Sequence, residues 1–151
     1  MKKILSLLLA LLVLCLPLTA MTEAAWILCQ PKSYVVCHPS PSKDSDTLGY
    51  LYCGDEIDVI GEVKGWVKIA CGFELGEGYV YKGYVTYDEP SEVNEPRVIT
   101  RDKVRARRYI GGPRRRWLNT GDSITVYWES ASWSVTSQGY VQTDLTGDYD
   151  P

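Results

Sequence analysis

Cysteine and histidine are the most reactive side chains of this sequence, and their spacing restricts the chemistry that they can support. After residue 25 the cysteines all lie in the first half of the chain, at Cys29, Cys37, Cys53 and Cys71. His38 is the only histidine and directly follows Cys37. A cysteine nucleophile needs a base within reach, but adjacent side chains on a strand point to opposite faces. A catalytic pair at these two positions is therefore unfavourable.

The four cysteines favour disulfide bonds over a metal site. An even number of cysteines in a small exported chain is typical of a disulfide framework. Zinc binding is the alternative, but the sequence has no C-x-x-C pair, and His38 beside Cys37 makes a poor second ligand set. Three pairings are open, and the sequence alone does not choose among them. We expect two disulfides, no metal and no cofactor.

Carboxylates are numerous, but none is placed for catalysis. Asp55 and Asp122 each follow a glycine, Gly54 and Gly121, that we expect to adopt a backbone conformation unfavourable for other residues. Aspartate at such turns accepts hydrogen bonds from nearby backbone amides. A glycosidase needs two carboxylates facing each other across a cleft, and no spacing here fixes such a pair. We therefore predict a binding protein and no enzyme.

The first 25 residues are predicted to be a secretory signal peptide. Lys2-Lys3 precedes an apolar run from Ile4 to Leu16 that is too short to span a membrane. Cys15 offers a lipoprotein alternative, which the large residue before it disfavours. Small side chains place the cleavage site after Ala24, with Ala20 and Ala25 as alternatives. The mature protein is thus expected to be secreted, extracellular or associated with the cell wall, without a membrane span.

The elements that must position these residues come from a sequence repeat. Residues 51–59 and 118–126 share the pattern L-x-x-G-D-x-I-x-V, and the same offset carries Trp66 onto Trp133. Alternating apolar residues after a Gly-Asp turn predict a strand with one buried face. Many short strands, glycine-rich turns and no helical period indicate an all-β fold of two small, partly open barrels.

The acidic segment 89–96 divides the chain into predicted modules at 26–88 and 97–148. It is bounded by prolines and nearly free of apolar residues, as expected of a flexible, solvated linker. From residue 26 to 95 the charge balance is −7, and from 96 to 151 it is +3. The opposite charges serve only to attract the two halves to each other or to keep them soluble. The alternative is that the basic half binds an anionic partner.

The order of the motifs resembles the bacterial SH3 family, twice in tandem. The matching residues are 49–59, 65–66 and 78–80 in the first half, and 104–107, 117–126, 133 and 139–141 in the second. Cys37-His38 departs from the family's V-x-V-R strand. The resemblance implies two SH3-like barrels without catalytic activity, each with a shallow groove that accepts extended peptides.

The resemblance also implies which side chains bind ligand. Five tryptophans and eleven tyrosines exceed what two small cores would bury, so some should be exposed. The implied groove residues are Tyr34, Tyr50, Tyr52, Trp66 and Tyr84 in the first module, and Tyr109, Trp117, Trp133 and Tyr140 in the second. The tryptophans and the tyrosine of each G-Y-V are equally suited to the core.

Three arginines complete the predicted binding residues. Arg114, Arg115 and Arg116 suit the carboxylates or phosphates of cell-wall polymers. A nucleic acid is disfavoured because of the signal peptide and the acidic pI of about 5.2.

The sequence thus predicts a secreted protein that binds peptidoglycan or a peptide ligand, with both grooves engaging one polymer through a flexible linker. The alternative is an interaction module that holds or regulates an exported protein. The resemblance places Cys53 near Cys71, which leaves Cys29 with Cys37.

Overall fold

Strands account for most of the regular structure in the computed structural model, which describes residues 22–71 and 76–149. The strands are β1 (Glu23–Ile27), β2 (Val35–Cys37), β3 (Gly49–Leu51), β4 (Glu56–Val63), β5 (Trp66–Ala70), β6 (Glu77–Tyr81), β7 (Val85–Thr86), β8 (Ser91–Ile99), β9 (Val104–Arg107), β10 (Arg114–Leu118), β11 (Ser123–Glu129), β12 (Trp133–Thr136), β13 (Gly139–Gln142) and β14 (Thr146–Asp148). Short 3-10 turns at Lys82–Tyr84 and Thr143–Leu145 precede β7 and β14. The predicted all-β class is confirmed.

No helix in the described part of the chain has the length and apolar character that crossing a membrane requires.

The two halves of the chain repeat one strand topology. In the first half β1 pairs with β4 and β7 within a sheet of order β6-β5-β4-β1-β7. In the second half β8 pairs with β11 and β14 within a sheet of order β10-β9-β13-β12-β11-β8-β14. The β2–β3 pair joins the first sheet through a single bridge between His38 and Tyr79, whereas β9 pairs directly with β13. Neither sheet closes into a complete barrel.

The repeated Gly-Asp turn has the same geometry in both halves. Gly54 and Gly121 have φ angles of +89° and +84°, in the left-handed region that favours glycine. The Oδ2 atoms of Asp55 and Asp122 accept hydrogen bonds from the amide three residues earlier, at 2.7 and 2.8 Å. The predicted roles of both residue types are confirmed, and each turn leads into the strand that supplies core residues.

Each half has its own apolar core, built by alternation along its strands. Ile57 and Val59 of β4 are buried while Asp58 between them is exposed. Ile124 and Val126 of β11 repeat this pattern in the second half. Small cores of this kind bury little area, so contacts between the halves contribute to stability.

The segment predicted as a flexible linker is mostly a strand. Residues 91–96 belong to β8, in which Glu95 pairs with Val126 and Glu92 with Trp128. The linker prediction is therefore wrong for these residues. Most side chains of β8 are exposed or half-buried, so backbone hydrogen bonds largely hold the strand in place. Because few of its side chains are buried, the sequence shows no apolar alternation that would predict a strand.

The first strand begins inside the predicted signal peptide. Residues 1–21 lie outside the described part of the chain, but Glu23–Ile27 forms β1. Ala25 is fully buried and pairs with Ile57 of β4. The boundary after residue 25 is therefore wrong for the fold. Of the three cleavage positions, only the one after Ala20 leaves β1 intact.

The two halves pack against each other through an apolar cluster and polar contacts. Leu28 of the first half is buried with Val135 and Tyr140 of the second. Hydrogen bonds across the boundary run from Tyr140 Oη to the Leu28 carbonyl (3.0 Å), from Gln30 Nε2 to the Thr136 carbonyl (3.3 Å), and from Ser132 Oγ to Asp88 Oδ2 (2.6 Å). The expectation of flexibly joined modules is wrong, because this interface holds the halves in one arrangement.

The four described cysteines are free thiols that lie in two pairs. Cys29 lies beside Cys53, and its backbone N–H donates to the Cys53 sulfur at 3.3 Å. Cys37 interacts with the thiol of Cys71. The pairing implied by the family resemblance is therefore wrong, because each thiol has the other partner as its neighbour.

Candidate binding site

An open groove of about 830 Å³ is walled mainly by aromatic rings. Its lining residues are Tyr34, Val35, Val36, His38, Ser42, Lys43, Asp44, Trp66, Tyr81, Tyr84 and Tyr109. Most of them come from the first half, but Tyr109 belongs to the second. Apolar walls with a few polar groups are typical of ligand sites of this size.

A row of rings packed edge to face crosses the groove. Trp66 begins β5 and pairs with Tyr81 at the end of β6, so the strand register places the two rings side by side. Their centroids are 5.7 Å apart, and those of His38 and Trp66 are 5.5 Å apart. Tyr109 continues the row at 5.2 Å from Tyr81. Edge-to-face contacts hold each ring in place and leave other faces and edges available for a ligand.

His38 supplies a polar group with a defined hydrogen-bonding role. Its Nδ1 lies 3.1 Å from the Asp46 carbonyl oxygen and 3.3 Å from the Ser45 carbonyl oxygen. Both oxygens can only accept hydrogen bonds, so Nδ1 must carry a proton and donate. In the neutral ring Nε2 is consequently an acceptor. The histidine, which is only 8% exposed, is thus oriented before any ligand arrives.

Tyr109 reaches the groove because Gly83 allows close approach. A Cβ atom at Gly83 would lie 2.5 Å from Cδ2 of Tyr109, which leaves no room for any other residue without a shift. The next amide, that of Ile110, donates to the Gly83 carbonyl at 2.9 Å. Backbone and side chain contacts therefore fix the second half against the groove, and the site is composite.

A second cavity of about 780 Å³ lies at the junction of the halves and shares Tyr81 and Tyr109 with the groove. On its first-half side Lys82 Nζ lies 2.6 Å from Glu62 Oε2, and the Tyr87 hydroxyl donates to Glu62 Oε1 at 3.0 Å. The Lys82 hydrogen bond, together with that of Tyr87, lowers the pKa of Glu62. Burial and the bond to Glu62 raise the pKa of Tyr87 to about 12. The cavity rim thus carries a paired carboxylate and a neutral phenol at pH 7.

The segment that builds most of the groove has a recognisable sequence family. Residues 35–86 match the family model of the bacterial SH3 domain. This match begins at β2 and ends at β7, and it includes all the groove residues except Tyr34 and Tyr109. No curated protein matches the chain.

Two solved structures are similar to this chain. NlpC2 from Trichomonas vaginalis is 12% identical, with a TM-score of 0.38 over 86% of this chain and 49% of that protein. NlpC1 from Trichomonas vaginalis is 12% identical, with a TM-score of 0.39 over 89% of this chain and 48% of that protein. The chain spans about half the length of either protein.

The groove brings together only some of the predicted binding residues. Trp66, Tyr34 and Tyr84 line it, and Tyr109 joins them from the second half. Tyr50 packs edge to face on Tyr34 at 4.7 Å and so supports the groove from outside.

Three of the other predicted aromatic residues lie elsewhere. Tyr52 is 57% exposed and is not a lining residue of the groove. Trp133 lines the junction cavity and packs in the cluster between the halves. The prediction for Tyr140 is wrong, because this side chain is 1% exposed and its hydroxyl is bonded to Leu28. In the second half, therefore, residues expected to bind ligand bind the first half instead.

The predicted arginines form a separate surface on β10, at the edge of the second sheet. All three are exposed, and Arg116 donates to Gln138 Oε1 at 2.6 Å. Trp117 is 42% exposed, with the guanidinium carbons of Arg105 and Arg114 at 5.5 and 4.7 Å from its ring centroid. Cation–π contact orders these charges around one ring. This basic surface contributes no lining residue to the groove.

Sequence reasoning missed Tyr81, His38 and the loop residues Ser42–Asp44 as groove residues. Tyr81 lies opposite Trp66 in the β5–β6 register, a long-range pairing that no local pattern in the sequence shows. For His38 and the loop no local pattern marks the position, because it depends on the contact of the His38 ring with the carbonyls of Ser45 and Asp46. Tertiary contacts therefore decided this part of the site.

Proposed function

We propose that this protein is an exported, non-catalytic binding protein whose halves are tandem bacterial SH3 domains docked into one unit. Its ligand is an extended peptide of the cell wall, bound in the aromatic groove. The groove itself carries this proposal, because six aromatic or imidazole rings and a few polar groups line one open surface, and four of these rings belong to the segment that matches the bacterial SH3 domain.

The second half supports a tandem arrangement through its topology. Its strands pair in the same order as those of the first half, and both 3-10 turns precede the closing strand. The Gly-Asp turn recurs with nearly identical φ and hydrogen bonds. Shared local geometry at equivalent positions favours a second copy of one domain.

The groove suits an extended peptide for physical reasons. Aromatic rings recognise extended or polyproline-like backbones because flat faces pack well against a chain that has little internal bonding. The oriented Nε2 of His38 can accept a hydrogen bond from a peptide N–H. Lys43 and Asp44 place one charge of each sign at the groove edge, which suits a ligand with both carboxylate and ammonium groups.

The second half contributes to binding as a wall and as a basic surface. Tyr109 completes the row of rings. The separate groove predicted for the second half is largely occupied by the interface between the halves. Docking therefore favours one composite groove over two grooves acting through avidity. The β10 arginines add attraction toward anionic wall polymers, which raises the rate of encounter more than the affinity.

Sedimentation with purified, insoluble peptidoglycan tests the proposal. Trp66→Ala should weaken binding at least about tenfold, since truncating a central aromatic anchor typically costs about 2 kcal/mol or more and about 1.4 kcal/mol already corresponds to a tenfold change. Tyr109→Ala should weaken binding as well, because the groove is composite. Tyr52→Ala is the matched control, with a similar loss of aromatic surface but no place in the groove, and it should bind like the wild type.

Circular dichroism must show that each variant keeps the wild-type fold. Equal binding by wild type and Trp66→Ala would refute the groove as the site. Failure of the wild type to sediment would favour the alternative function, in which the same groove holds an exported protein and regulates it.

A further inference from the structure

The two thiol pairs lie at points where one bond would join separate elements. Cys29 directly precedes the loop after β1, and Cys53 belongs to the Gly-Asp turn that hydrogen-bonds Ile27. The amide of Cys29 donates to the Cys53 sulfur at 3.3 Å. Both residues pack on the core of the first half, where Cys29 is 2% exposed. The pair therefore bridges β1 and the turn that enters β4.

The second pair bridges β2 and the end of β5. Cys37 is the last residue of β2, is fully buried, and sits so close to Gly78 of β6 that no side chain fits there. Cys71 follows β5, and its amide donates to the Gly76 carbonyl at 3.1 Å, just before β6. Cys71 packs against the same core cluster that contains Cys37. Cys37 also interacts with the Cys71 thiol, so this pair joins the end of β2 to the end of β5.

We propose that the protein is oxidised at both pairs, forming the disulfides Cys29–Cys53 and Cys37–Cys71. The inference rests on the export that is part of the proposed function, because exported proteins meet disulfide-bearing oxidants. This pairing replaces the one implied by the family resemblance, which joined Cys53 to Cys71 and Cys29 to Cys37. These bonds would be modifications at sites that the groove does not use for ligand contact.

Each bond forms by two thiol–disulfide exchanges with an oxidant of the disulfide class, such as oxidised glutathione. A hydrogen bond from Cys29 lowers the pKa of Cys53, which favours Cys53 as the attacking thiolate. It attacks one oxidant sulfur and displaces a glutathione thiolate. Cys29 then loses its proton and attacks the Cys53 sulfur, which displaces the second glutathione. Two electrons pass to the oxidant, and two protons convert its thiolates to thiols.

The two disulfides would stabilise the interface between the halves and the wall of the groove. Cys53 precedes Gly54, where an added Cβ atom would meet the Trp128 ring of the second half, so the first bond anchors a turn at the interface. Cys37 precedes His38, so the second bond anchors the groove wall. A protein with both bonds should melt at least about 5 °C higher than the reduced protein.

Peptide mapping of the purified wild-type protein after oxidation with glutathione disulfide tests the pairing. Trypsin cuts after Lys32, Lys43, Lys64 and Lys68, so each of the four cysteines falls in a different peptide. The expected non-reduced digest joins the Cys29 peptide to the Cys53 peptide and the Cys37 peptide to the Cys71 peptide. Either of the other two pairings, or four thiols that remain titratable, would overturn the proposal.

A double variant gives an independent control. Cys29→Ser with Cys53→Ser removes one pair and should leave the Cys37–Cys71 link at full yield, whereas its loss would contradict separate pairs. The outcome does not depend on wall binding. Protein that carries the two expected links but fails to sediment with peptidoglycan would contradict the proposed function and leave the disulfide assignment intact.

Discussion

Alanine at Gly54 and at Gly121 should have different costs, although the two turns are nearly the same. Gly54 has a φ angle of +89° and Gly121 one of +84°. A Cβ atom at Gly54 would lie 2.9 Å from Cη2 and 3.0 Å from Cζ3 of Trp128, across the boundary between the halves. A Cβ atom at Gly121 would have no neighbouring atom within 4 Å. Comparing the two alanine variants therefore separates the cost of backbone strain, which both share, from the cost of a clash at the interface, which only Gly54→Ala has.

The expected magnitudes follow from these two terms. Forcing alanine into the left-handed region costs about 1–2 kcal/mol at either position. At Gly54 the indole ring must also shift, and overpacking of this kind adds about 1–3 kcal/mol. We expect Gly121→Ala to lower the free energy of unfolding by about 1–2 kcal/mol, and Gly54→Ala by about 2–5 kcal/mol.

Urea denaturation followed by tryptophan fluorescence and by circular dichroism measures both values. Both probes should report one transition, because the docked halves unfold together. Trp128→Leu should recover part of the loss in the Gly54→Ala background, which a double-mutant cycle quantifies. Equal losses for the two alanine variants, or separate unfolding of the second half alone, would refute the interface as described.

Three further predictions concern other contacts. Tyr140→Phe should cost about 1–2 kcal/mol, because the buried Leu28 carbonyl loses its donor, and urea denaturation should still show one transition. The Lys82 hydrogen bond keeps the pKa of Glu62 below its ordinary value of 4.5, so this contact stabilises the fold fully above pH 4.5 and is lost as pH falls through the lowered value. The urea midpoints of Glu62→Gln and wild type should thus differ at pH 7 and converge at lower pH, and a gap that widens in acid would contradict the assignment. Replacing Arg114–Arg116 with serine should weaken peptidoglycan binding more at roughly 0.01 M salt than at 1 M, where the Debye length is about 3 Å, and sedimentation at both salts measures this.

The sequence by itself determined the fold class and the repeated turn. Alternating Ile57 and Val59 predict a half-buried strand because side chains alternate across a sheet, whatever lies opposite. Gly54 and Asp55 predict the turn because a left-handed φ and a local hydrogen bond depend on neighbouring residues alone. The family resemblance also named Trp66, which lies in the groove, whereas it assigned Tyr109 to a separate groove of the second module and the structure places this residue in the groove of the first half.

Only the tertiary structure decided how the two halves meet and what that does to the site. Tyr140 and Tyr79 occupy equivalent G-Y-V positions, yet Tyr140 is buried because Leu28 of the other half covers it. The acidic segment 91–96 became a strand because β11 supplied hydrogen-bonding partners that no local pattern reveals.

The cysteine partners depended on long-range contacts in the same way. Cys29 meets Cys53, which is 24 residues away, only because β1 packs against the Gly-Asp turn. Local periodicity predicts which face of a strand is apolar. It does not predict which part of the chain packs against that face. The all-β class followed from the chain's local chemistry, while the single composite groove followed from the docking of one half on the other.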